Sequence, residues 1–213
     1  EAIYGQTDSG MTIIEGNLFL NGQKPIQERT SYGLGEILHA ALDNDAKHII
    51  ISLGGIGSFD GGAGMLQALG AKFYDDEANL VDVTKGAHVI KYIRRLDFSG
   101  IHPKLAEANI QVMSDFSSRL YGKQSEIMQM YPMLRMTQNE AAEIDNLVWY
   151  FSELFKSELR VTIGPIERGG AGGGIAAVLK GLYQAEILTS HELVDQITHL
   201  EDLVQQADLI KTP

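Results

Sequence analysis

His48-Ile49-Ile50-Ile51-Ser52-Leu53, then Gly54-Gly55-Ile56-Gly57-Ser58-Phe59-Asp60-Gly61-Gly62, then Ala63-Gly64-Met65-Leu66-Gln67-Ala68-Leu69 is the stretch whose reading decides the fold. The β-branched run reads as a buried strand, the middle as a glycine loop, and the last segment as a helix stopped at Gly70. A strand that enters a helix through a glycine turn belongs to α/β architectures. Such a turn also lets backbone N–H groups converge on an anion with no Cβ in the way. Two named templates fail here. The dinucleotide fingerprint wants glycine where Asp60 stands, and a P-loop over residues 57–62 wants lysine where Ala63 stands.

Outward from this unit, Ile3-Tyr4 and Met11-Thr12-Ile13-Ile14 flank the turn-like Asp8-Ser9-Gly10 and predict a hairpin. Thr30 or Ser31 can cap a helix with the apolar face Leu34, Ile37, Leu38, Ala41 and Leu42. Ala71-Lys72-Phe73-Tyr74 and Ile110-Gln111-Val112-Met113 are further strand candidates, while residues 88–93 fit either a short helix or a strand. Thr137-Gln138-Asn139-Glu140 matches a capping box, ahead of Ile144, Leu147, Val148, Phe151, Leu154 and Phe155 at helical spacing. A second glycine cluster (Gly164, Gly169, Gly170, Gly172, Gly173, Gly174) feeds the helix Ile175-Ala176-Ala177-Val178-Leu179, and Thr189 with Glu192 forms another capping box. Ala207-Asp208-Leu209-Ile210 reads as the start of a strand. With no repeat and no Pro- or Ser-rich linker, residues 1–213 read as a single α/β domain, a mixed sheet with flanking helices.

The 213 residues carry 17 Lys+Arg against 28 Asp+Glu, a net charge of −11, so an acidic surface argues against nucleic-acid partners. The sequence has no apolar run of membrane-spanning length and no Cys, so neither a membrane partner, a disulfide framework nor a Cys-ligated metal is expected, and the expected location is the cytoplasm. The six histidines show no familiar metal-ligand spacing. Trp149-Tyr150-Phe151 reads as core and helix surface. Met128, Met130, Met133 and Met136 read as gap fillers or a docking surface. Asp60 and Asp115 each have two readings. Asp60 either caps helix N–H groups or serves Mg²⁺ or a substrate proton, and Asp115 either forms a turn or does the same chemistry.

Residues 51–70, with Gly54-Gly55 and Asp60-Gly61-Gly62-Ala63-Gly64, resemble the glycine loop of the bacterial type I glycerate kinase family. Thr30-Ser31-Tyr32-Gly33 resembles that family's helix start, residues 169–177 its glycine- and alanine-rich segment, and residues 207–210 the strand before its glycine-glutamate-glycine motif. The resemblance covers nearly the whole chain. It implies an excised middle domain, the second (inserted) domain of a longer two-domain kinase, with the Rossmann-like domain of the same polypeptide as partner. It implies ATP and Mg²⁺ as cofactors and D-glycerate or a related hydroxy acid as substrate, bound in an interdomain cleft, so the isolated fragment is expected to be inactive. Asp60 and Asp115 are then the expected catalytic residues, with Asp60 also the metal ligand. Gly54, Gly55, Ser58, Gly61, Gly62, Gly169, Gly170, Gly172 and Gly173 are the expected substrate and phosphate contacts. Departures from the family pattern stand at Ile56, Ser58, Phe59, Ser118, Arg119 and residues 132–136. They keep open the alternative of a degenerate, non-catalytic domain that retains the fold for binding or assembly.

Overall fold

A computed structural model describes residues 4–16, 24–54 and 57–210. The hairpin is present as β1 (Gly5–Gln6) antiparallel to β2 (Met11–Glu15), with its first strand just after Tyr4; Ile3 lies outside the described residues. The chain continues through α1 (Tyr32–Asp43), β3 (His48–Ser52) and α2 (Ala63–Ala68), so the deciding stretch is strand, loop and helix as read. A small antiparallel pair, β4 (Lys72–Tyr74) and β5 (Arg95–Asp97), stands apart from the main sheet. Between them residues 87–92 form a 3₁₀ helix, which resolves the ambiguity over residues 88–93. Then come β6 (Asn109–Met113), α3 (Glu126–Met130), α4 (Gln138–Leu154), α5 (Ile175–Tyr183), β7 (Glu186–Leu188), α6 (Ser190–Thr198) and α7 (Leu200–Gln206).

Among the described residues the main sheet has the order β1-β2-β3-β6-β7, parallel except for β1, so it is a mixed sheet. Register places Thr12 and Ile14, Ile49 and Ile51, Ile110 and Val112 on one face, and all are buried under helices. A parallel order that advances in one direction with right-handed crossovers stacks its helices on a single face. The other face carries Ile13, His48 and Gln111. It is partly covered by α6, where Gln111 Nε2 donates to Gln196 Oε1 at 2.9 Å, and a shallow cavity of about 230 Å³ remains beside Met11 and His48.

The apolar face read for α1 is buried in full, and the helix packs tightly on α2. Phe151 and Phe155 meet edge to face at 5.0 Å, and Phe73 and Phe98 extend the stack so that α4 and the small sheet share one core. Both capping boxes form as read, Thr137 with Glu140 and Thr189 with Glu192. Trp149 is partly exposed and Phe151 buried, in line with a core-and-surface role. One element departs from expectation. Residues 207–210 are exposed and form no strand, because no strand among the described residues lies alongside to complete the ladder their N–H and C=O groups need.

Candidate active site at the carboxyl edge of the sheet

Open α/β sheets bind ligands beyond the carboxyl ends of their parallel strands. Here that edge carries residues 53, 54 and 57–62 after β3, residues 114–119 after β6, and Thr189 and Ser190 after β7. The glycine loops meet there. Gly61 N donates to Gly173 O at 3.0 Å, and a Cβ on Gly174 would lie 2.8 Å from Gly61 Cα, so the two backbones touch with no side chain between them. Phe59 anchors the first loop by burying its ring with Ile26, Ile127, Ala141 and Ile144.

Asp60 sits beneath this contact with no exposed surface. Its Oδ2 accepts from Ser31 N (2.7 Å), Ser31 Oγ (2.9 Å) and Gly64 N (3.1 Å), and its Oδ1 from Gly62 N (3.1 Å) and Ser58 Oγ (3.3 Å). Both oxygens are committed to donors inside the fold. The capping geometry read for Asp60 is therefore present, with bonds to the N–H groups of Gly62 and Gly64 at the start of α2 and no exposed surface left on the residue. Ser31 completes the arrangement: rather than capping its own helix it accepts from Met65 N at 2.8 Å, tying α1 to α2.

The glycines read as phosphate contacts are placed as follows. Ser58, Gly61, Gly62, Gly169, Gly170, Gly172 and Gly173 are buried. The N–H of Gly62 goes to Asp60, that of Gly170 to Ser118 O, and that of Gly173 to Glu126 Oε2. Two of these donors thus go to the protein's own carboxylates and one to a backbone carbonyl, and the glycines let the two loops pack closely. Gly54, two residues past the end of β3, is half-buried. Gly55 lies outside the described residues.

Asp115 is exposed and in a different setting. Its Oδ1 accepts from Ser190 N (2.8 Å) and Ser190 Oγ (2.9 Å), which hold the carboxyl below its usual range with help from Arg168. Its Oδ2 accepts no hydrogen bond among the described residues. The next residues line two adjoining cavities that share Ser117, Ser118 and Gln129. One, of about 280 Å³, is completed by Phe116, Glu126, Met130 and Met133. The other, of about 200 Å³, is completed by Arg119, Gln124, Glu167 and Arg168. Ser118 Oγ is buried and without a partner among the described residues.

Glu126 is the site residue that sequence reading misses. It stands at the start of α3, where Asp145 accepts from Gly122 N and Ser125 Oγ and fixes the preceding turn. Burial pushes its carboxyl from 4.5 up to about 7, partly opposed by the Gly173 N–H. The unfolded chain releases this proton near pH 4.5, whereas the folded chain holds it until about pH 7. Its contribution is thus most favourable at low pH and declines as pH rises through that window, by roughly 3 kcal/mol in total. Glu126→Gln keeps an acceptor for Gly173 and removes the titration, so urea denaturation of both proteins should show the wild type losing about that much relative to the variant between pH 4.5 and 8. A difference that does not change with pH would refute the assignment.

A family model described as the glycerate kinase family matches residues 9–213. Glycerate 2-kinase of Escherichia coli is 33% identical over 183 residues, covering 86% of this chain and 48% of the relative. Glycerate kinase of Bacillus subtilis is 29% identical over 218 residues, covering 99% of this chain and 56% of the relative. The chain thus spans about half the length of the curated relatives it matches. The crystal structure of a chain assigned as glycerate kinase 2 from Salmonella typhimurium LT2 superposes with a TM-score of 0.86 at 31% identity, over 97% of this chain and 57% of that one. Among the described residues no helix is long and apolar enough to cross a membrane. A match over nearly every residue, together with a shared fold, shows that this chain belongs to the glycerate kinase family.

Proposed function

We propose that this chain is the inserted α/β domain of a two-domain kinase that transfers the γ-phosphoryl group of ATP to a hydroxyl of D-glycerate, acting at a cleft with a Rossmann-like domain of the same polypeptide. The observation that carries the placement is the orphan hydroxyl of Ser118, buried where two cavities adjoin at the carboxyl edge of the sheet. A buried hydroxyl without a partner costs about 1–3 kcal/mol unless a ligand or water completes it. The cavity walled by Arg119, Gln124 and Arg168 suits the carboxylate of a small hydroxy acid, and the one walled by Glu126 suits its hydroxyl end. Glu126, titrating near 7, is matched to accept the hydroxyl proton as the phosphoryl group arrives.

Asp60 does not fit a Mg²⁺ ligand, because both its oxygens are filled by donors. Asp115 fits, with Oδ2 open and the side chain exposed. When bound, Mg²⁺ would neutralise charge on the phosphate oxygens. Gly54 lies at the same edge, at the start of the loop that would border the phosphates.

The test is coupled ADP release by the full-length protein with D-glycerate. Asp115→Asn should lower turnover by a factor on the order of a hundred, while Ser118→Ala should raise KM for the acid. Turnover by the isolated 213 residues would contradict the interdomain reading. A second reading, a non-catalytic binding domain, is favoured by the internal use of the glycine-loop donors. Saturable D-glycerate binding by the full-length protein without ADP release would establish it.

A further inference from the structure

The structure assigns a Zn²⁺ site, which we propose as new, to His39, Asp43 and His102 at the amino edge of the main sheet. His39 and Asp43 lie one turn apart at the end of α1, on the same helix face. His102 arrives from the connection between β5 and β6. Its backbone is pinned by His102 N donating to Leu69 O at 2.8 Å and by the 3₁₀ helix Pro103–Ala106 that follows it.

His39 Nδ1 lies 3.2 Å from Asp43 Oδ2, and His102 Nε2 lies 3.2 Å from Asp43 Oδ1. The ligating atoms of the three residues all fall within 4.8 Å of one another, and the two imidazoles meet edge to face with centroids 4.8 Å apart. Zinc bonds of about 2.0–2.1 Å in a tetrahedron put neighbouring ligand atoms roughly 3.3 Å apart; each imidazole is that far from one oxygen of Asp43, so small side-chain rotations within the 4.8 Å cluster would bring one nitrogen from each ring and one oxygen onto a single ion. His102 is 8% exposed, and its Nδ1 is buried with no partner among the described residues. Nε2–H donates to Asp43 Oδ1, and because Nδ1 has no such partner holding it as an acceptor, the ring can carry its proton on Nδ1 instead and turn an Nε2 lone pair to the ion. His39 and Asp43 face solvent, leaving the fourth position to water. The neighbouring ammonium of Lys104 is matched by Asp45 at 2.8 Å and does not oppose a cation uncompensated. Two imidazoles with one carboxylate select Zn²⁺ over Mg²⁺, whose ligands are oxygens. Such an ion would clamp the last turn of α1 to the segment that feeds β6. It is independent of any chemistry at the opposite edge of the sheet.

The experiment is calorimetric titration of chelator-stripped full-length protein with ZnCl₂ in excess Mg²⁺, paired with thermal melts. The wild type should bind one equivalent that His39→Gln and His102→Gln do not, with a rise in Tm that both variants lose. The affinity loss should be about tenfold or more, at least that of removing an outer-shell partner. His39 is 42% exposed, so His39→Gln keeps the test decisive should His102→Gln fail to fold. His48→Gln, at the start of β3, should bind as the wild type does. Zinc binding that is absent in the wild type, or unchanged in His39→Gln and Asp43→Asn, would overturn the assignment.

Discussion

Gly173→Ala is expected to cost about 4 kcal/mol of folding stability, from backbone strain and overpacking of about 1–3 kcal/mol each. Gly173 has φ +64°, where L side chains are strained, and a Cβ there would lie 1.8 Å from Ser58 O and 2.7 Å from Phe59 Cα. Both are backbone atoms, and Phe59 is anchored by its buried ring, so the first loop would have to move bodily. That movement would also disturb the Gly61 N–H bond to Gly173 O and the Gly173 N–H bond to Glu126. Gly10→Ala is the matched control. Gly10 has φ +82° and nothing within 4 Å of a new Cβ, so only the strain component, about 1 kcal/mol, should be lost. Chemical denaturation of the two variants side by side measures the difference. Equal losses would show that the loops are not locked together.

The second large effect is Asp60→Asn, expected to destabilise by about 3–5 kcal/mol. Asparagine keeps one acceptor oxygen, but its NH₂ must face donors that now point at the carboxylate, from Ser31, Gly62 and Gly64 among others. At an exposed cap the same change would cost little, so the magnitude itself separates a buried hub from a surface cap. A variant as stable as the wild type would return Asp60 to the set of groups free for phosphate or metal chemistry.

How much was legible follows from where the information sits. Helix α4 is written into consecutive residues, with a Thr137 cap, a Glu140 reply and an apolar face in register, and it forms accordingly. Strand β3 is legible for the same reason. Strands β5 and β7 are three residues each, too short for alternation to appear, and become strands only through their partners. The role of Asp60 hangs on Ser31, 29 residues earlier, and the burial of Glu126 on Gly173, 47 residues later. No local pattern carries either contact. Spacing rules likewise pass over His39, Asp43 and His102, because the third residue is brought in by tertiary structure. The carboxyl edge was legible as a location from its glycine loops, while the cavities beside it, walled by Ser118 and Gln129, were not.

The order of the parallel strands has a kinetic consequence. Each new strand docks against the one made just before it in the sheet, β3 on β2, β6 on β3 and β7 on β6, so the sheet can grow in the direction of synthesis without waiting for a distant segment to fill a gap. The loops to be closed lengthen along the way, and the last pairing joins positions 75 residues apart, as Gln111 and Glu186 show. Loop-closure entropy makes that step the slowest to nucleate. Strand β7 is only half-buried and helix α7 beyond it is exposed, so in this stretch of chain the β7 pairing is expected to open before the buried β3–β6 pairing, which hydrogen exchange would read.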